Sequence, residues 1–151
     1  MEAKIIKKYS KQSTQNLRLT AKRWFHKYIK LRDTDENGYG KCIATGQPLK
    51  YGTVNAQAGH YFSAGKYPSL EFNEDNVHLQ SLSDNYYGHD FANYGSNLLL
   101  KIGNDRFHDL SECAVHSKRN IYKHDRFSFI MIIETYKAKV KEIAKTKNFK
   151  I

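Results

Sequence analysis

His60, Asn76, Asn85 and His89 are separated by fifteen, eight and three residues. An imidazole, with an ordinary pKa of about 6.5, is the side chain best suited to take a proton from water near neutral pH. An asparagine offers a hard amide oxygen to a divalent cation, or two N–H donors that fix a neighbouring group. The order His, loop, Asn, then Asn and His at the start of a helix suits phosphodiester hydrolysis. One imidazole activates a water, one divalent ion sits on the phosphate, and an amide fixes the geometry. His60 is the candidate general base and touches the metal region. Asn76 is the candidate for orienting the imidazole or the metal water. Asn85 either supplies a metal oxygen or starts a helix, and His89 is a further ligand candidate. His78 shares a strand face with Asn76 and Gln80, where it is a ligand, a phosphate contact or a packed structural histidine. Glu74 and Asp75 read as loop acids.

Positioning these groups requires a hairpin with a helix behind it. Residues 41–83 alternate short apolar pieces with Gly, Pro, Asn and Ser, which predicts short strands and turns, and Pro68 excludes a regular helix in the loop after His60. Upstream, Leu17, Ala21, Trp24, Phe25, Tyr28 and Leu31 recur at helical steps, predicting a helix from about Thr14 to Asp33. Downstream, Asp84 is a candidate cap for a short helix, Gly103 ends a second and Asn104 starts a third. Asp125 caps the last, whose apolar stripe is Phe129, Ile133, Tyr136, Val140 and Ile143. The fold class is α+β, a small β unit flanked by helices. Residues 1–13 read as a basic flexible arm, and residues 14–151 as one domain.

Twenty-five Lys and Arg against fifteen Asp and Glu leave a net charge of +10. That excess suits a polyanion, because Lys and Arg release condensed counterions from phosphate. Candidate DNA contacts are Lys4, Lys7 and Lys8 in the arm, and Lys22, Arg23, Lys27 and Lys30 on the first long helix. Lys118, Arg119, Lys123 and Arg126 precede the last helix. No element reads as a base-reading motif, so backbone and shape recognition is expected. Two cysteines, Cys42 and Cys113, make no disulfide framework, and no run is apolar enough for a signal peptide or a membrane span. The expectation is a soluble, cytoplasmic protein with no membrane partner.

The stretches KYIKLRD (27–33), AGHYFSAG (58–65), EFNEDNVHLQ (71–80) and LLLKIG (98–103), with Cys42 and Asn85, resemble the NinG (Rap) family of phage recombination proteins. The likeness covers about residues 15 to 147. It implies an HNH-like, ββα-metal endonuclease using Mg²⁺ or Mn²⁺ and acting on branched or junction DNA in recombination. A homodimer would suit two symmetric cuts. The alternative is a degenerate relative that binds DNA structure without cutting. The family pattern also carries two Cys-x-x-Cys pairs that look like a zinc knuckle. Here they read Cys42-Ile43-Ala44-Thr45 and Ser81-Leu82-Ser83-Asp84, so no structural zinc is expected, and hydrogen bonds and packing must hold the knuckle.

Overall fold

The computed structural model describes residues 2–88, 90–119 and 122–150, with the side chains of Lys118 and Arg119 left out. Its elements run α1 (Ala3–Tyr9), α2 (Thr14–Arg32), β1 (Tyr39–Lys41), β2 (Pro48–Lys50), β3 (Ala56–His60), β4 (Val77–Ser81), α3 (Phe91–Ile102), α4 (Asn104–Arg119) and α5 (Arg126–Thr146). A single 3-10 turn, Pro68–Leu70, lies in the loop between β3 and β4, and a π turn, Asp84–Gly88, follows β4.

Two antiparallel hairpins, β1–β2 and β3–β4, form the β part. In the second, Gly59 faces His78 and His60 faces Val77. Successive side chains therefore divide between two faces. Ala58 and Val77 pack on Phe25 and Ile29 of α2 and Tyr136 of α5. On the other face Tyr94 of α3 donates its hydroxyl to the Gly59 carbonyl at 2.8 Å. The layers are α5 on α2, α2 on the β3–β4 hairpin, and the hairpin on α3. The fold is α+β, as the sequence implies.

The long helices follow their apolar periods. Ser13 accepts from Asn16 N to start α2, and Asp125 accepts from Ser128 N to start α5. Along their shared seam Leu17, Ala21, Phe129, Ile130 and Ile133 are buried. Gly103, at φ +84, supplies the left-handed residue that separates α3 from α4.

The N-terminal arm differs from expectation, since residues 3–9 are helical and docked. Tyr9 is buried, its hydroxyl bonds the Glu134 carboxylate, and Lys8 pairs with the same group at 2.8 Å. Arg126, expected to touch DNA, instead donates to the carbonyls of Tyr9 and Gln12 behind α1. The Tyr9 carbonyl also accepts from Gln12 N, and the guanidinium, with several donors, ties the end of α1 and the turn after it to the start of α5.

At the would-be zinc knuckle, Cys42 Sγ accepts from Ser81 N at 3.3 Å, and Ser81 Oγ lies 3.3 Å from Ser83 Oγ and accepts from Asp84 N. Asp84 does not cap its own turn. It accepts from Gln80 Nε2 and from Asp90 N, closing the π turn from below, and Asp90 caps α3.

Candidate active-site cleft

The residue types around His60 decide its chemistry. Its Nε2 lies 2.9 Å from the Glu71 carbonyl. A carbonyl only accepts, so Nε2 carries the proton and Nδ1 is left as the bare nitrogen. Removal from water and the Lys22 charge push this imidazole below its ordinary value, against the opposing pull of Glu71. At neutral pH it is an unprotonated base with a fixed tautomer. It lines a cleft of about 260 Å³ with Arg18, Lys22 and His26 of α2, Glu71, and Asn85 and Tyr86 of the π turn.

Asn76 holds that geometry from a distance. It is fully buried. Its Oδ1 accepts from Phe62 N at 2.8 Å, and its Nδ2 donates to Phe62 O at 2.9 Å and Leu70 O at 3.0 Å. Its three hydrogen bonds all go into pinning the loop that carries Glu71, and none reaches the imidazole. The direct role assigned to it from sequence becomes an indirect one, since it sets the carbonyl that sets His60.

His78 does not join the cleft. Strand alternation puts it on the opposite face, where it is 2% exposed. Its Nε2 donates to Asp75 O at 3.0 Å, and its Nδ1 accepts from Arg32 and Lys101, each at 3.0 Å. Burial lowers its pKa. Both nitrogens are occupied, which removes it as a metal ligand. It belongs to a buried polar cluster centred on Asp33. Arg32 Nε reaches Asp33 Oδ1 at 2.7 Å, Lys101 reaches it at 3.1 Å, and Leu79 N donates to Oδ2 at 2.9 Å. Burial alone would raise the Asp33 carboxyl, but its hydrogen bonds and the Arg32 and Lys101 charges outweigh it and hold the group well below the usual carboxylate range. The words LRD, EDNVH and LLLKIG thus meet in one network.

Glu74 is engaged by Tyr136 and Lys139, and Asp75 by Arg106. Among the predicted ligands the cleft brings together His60 and Asn85. His89 lies outside the described residues. Among the described residues no cluster of three or more His, Cys, Asp or Glu could hold a metal ion. The one carboxylate lining the cleft, Glu71, pairs with Arg18 at 3.0 Å. Asn85 is a hard oxygen donor that suits Mg²⁺ or Mn²⁺ in one position, and these ions fill much of their shell with water and phosphate oxygens.

Gly59 is explained by its neighbour across the strands, because an added Cβ would meet Gln80 Oε1 at 1.7 Å. Gln80 fills the space beside the histidine that a side chain at 59 would need.

Of the predicted DNA contacts, Lys22 lines the cleft and Arg23 is exposed. Lys27 lies over the Trp24 ring at 5.5 Å, and Lys30 is half-buried. Lys123 lines an adjoining cavity of about 510 Å³ that shares Arg18, Ala64 and Glu71 with the cleft. The side chains of Lys118 and Arg119 lie outside the described residues. The sequence reading missed His26, whose ring centroid is 5.7 Å from that of His60. The available signal was its four-residue step from Lys22 and Arg18. No helix among the described residues is long and apolar enough to cross a membrane.

Comparison with curated proteins and with solved structures returned no match. A family model described as bacteriophage lambda NinG protein matches residues 1–147. Membership in that phage family suggests a recombination-related role. The chain belongs to the NinG family.

Proposed function

We propose that the protein is a metal-dependent endonuclease of HNH type that cuts branched or recombination-intermediate DNA. The observation that carries this reading is the His60 imidazole, which is neutral, locked in one tautomer by the Glu71 carbonyl, and turned into a cleft beside a lysine. A water between Nδ1 and the phosphate would lose its proton to that nitrogen as its oxygen attacks phosphorus, while the P–O3′ bond breaks and the departing 3′ oxygen takes a proton from solvent. Lys22, which lines the same cleft, would stabilise the negative charge that grows on the phosphate oxygens. One Mg²⁺ or Mn²⁺ ion, with Asn85 as its protein ligand, would add charge neutralisation at the phosphate when bound. The net charge of +10 supports a polyanionic substrate.

A second reading, DNA binding without cutting, draws on one observation. The cleft's single carboxylate is tied to Arg18 and so is not free for a metal. A cleavage assay separates the two. Labelled four-way junction and linear duplex are incubated with EDTA, Mg²⁺ or Mn²⁺. Cutting of the junction with Mg²⁺ or Mn²⁺, abolished by EDTA, supports the nuclease. Junction binding that weakens steeply with salt, with no cutting under any metal, selects the binder.

A further inference from the structure

His26 has no role in the chemistry described so far, yet it is the cleft's second imidazole. Its Nε2 is buried without a hydrogen-bond partner. A buried polar atom left unpaired is costly and calls for an explanation, most simply a ligand absent from the free protein. The ring lies 5.7 Å from His60 with the planes at 57°, and both line the same cavity.

Charge decides which ligand fits. Burial, then His60, Lys22 and Lys30, push the His26 imidazole down to about 3, so it is neutral at physiological pH. Among the described residues, the ionisable groups lining the cleft are two neutral imidazoles, the Tyr86 phenol, Lys22, Arg18 and Glu71. Two cations against one carboxylate leave +1. That balance matches the single negative charge of a phosphodiester, whose oxygens would in turn supply ligands to a divalent ion on Asn85. Arg18, Lys22 and His26 recur every four residues along one face of α2, giving a file of donors beside His60.

We propose that the cleft is a phosphodiester subsite in which His26 Nε2–H donates to a non-bridging phosphate oxygen, with Lys22 providing the countercharge. The proposal rests on the nucleic-acid reading of the His60 cleft and adds a substrate contact to it. An N–H to anion bond is stronger than a neutral one, and binding the anion satisfies the orphan nitrogen at the same time.

The test uses the full-length protein, a twelve-nucleotide oligothymidylate and EDTA, so that binding is read without cutting. Histidine ring resonances of isotope-labelled protein are followed at pH 7.5, and affinity is measured for wild type, His26→Ala and His26→Gln. The expected result is a shift of the His26 ring signals on adding the strand. Affinity should fall about tenfold or more in His26→Ala, the scale of a lost hydrogen bond to a charged group. His26→Gln, which keeps an N–H donor, should recover most of it. If His26→Ala does not fold, the wild-type signals and the glutamine variant decide. A strand that binds while the His26 signals stay fixed and His26→Ala binds like wild type overturns the proposal and leaves the nucleic-acid reading standing. A wild-type protein that binds no strand overturns both.

Discussion

Replacing Asn76 tests whether it clamps the loop or does chemistry itself. The side chain makes three hydrogen bonds, to Phe62 N, Phe62 O and Leu70 O, and has no exposure. Asn76→Ala removes all three and strips these partners from the Phe62 N–H and carbonyl, while the Leu70 carbonyl keeps only its bond from Asn73 N. At about 1 kcal/mol per bond the loss is roughly 3 kcal/mol. With a urea slope of about 2 kcal/mol per molar, the midpoint should drop by about 1.5 M. Asn76→Asp is the sharper variant. It preserves shape and the acceptor for Phe62 N, but turns a carboxylate oxygen toward two carbonyls. As a clamp, aspartate should be at least as damaging as alanine. As a metal or proton contact, aspartate should be tolerated, because a carboxylate is the better ligand and base. The assay is urea unfolding of the three proteins at pH 7.5, followed by circular dichroism. An alanine variant within about 0.5 kcal/mol of wild type, below the ordinary worth of one hydrogen bond, refutes the clamp. So does an aspartate variant as stable as wild type.

Three further outcomes follow from the same structure. Acid should destabilise the protein well above the carboxylate range. His26 takes up its proton only near pH 3 when folded, whereas the unfolded chain does so near about 6.5, so stability rises with pH across that window. Between pH 7 and pH 5 His26 alone should cost about 2 kcal/mol, with His60 and His78, also lowered by burial, acting in the same direction; equal urea midpoints at the two pH values contradict this. Asp33→Ala strips the counter-charge from Arg32 and Lys101 and should cost about 3–5 kcal/mol in the same unfolding assay, and a loss under 1 kcal/mol would show the cluster to be dispensable. Gly59→Ala drives a methyl into Gln80 Oε1 and should cost about 1–3 kcal/mol. The cost should shrink by about 1 kcal/mol or more in a Gln80→Ala background, whereas additive losses would place the strain elsewhere.

The long helices were legible because their buried residues repeat at helical steps and the Asp125 cap uses local chemistry, whereas the Ser13 cap was not named. The β3–β4 hairpin was legible as short strands between turn residues. The α1 helix was not, because it is only seven residues long with three lysines among them, and its docking depends on Glu134 and Arg126, more than a hundred residues away. The site shows the same division. His60 could be proposed from its neighbours, but the face shared by His78 and Asn76 in the sequence does not join them, since His78 bonds Arg32 and Lys101 and Asn76 bonds Phe62 and Leu70. What each side chain bonds to could not be read. Arg126 looked like a DNA contact and closes a helix end, and Asn76 looked catalytic and holds a loop. His26 sits between Phe25 and Lys27 on a helix full of lysines, and only the folded hairpin brings His60 to it.

The most direct test of the central claim is the single-turnover rate of junction cleavage by His60→Ala, beside its affinity for the same junction. The account predicts metal-dependent cutting by wild type and a loss of about 10²–10⁴-fold in the variant, the worth of a positioned general base. Junction affinity should change little, and the urea midpoint should fall by about 0.5 M or more for the lost bond to the Glu71 carbonyl, with the variant still folded. Cutting by His60→Ala at the wild-type rate would remove the imidazole from the chemistry and contradict the account.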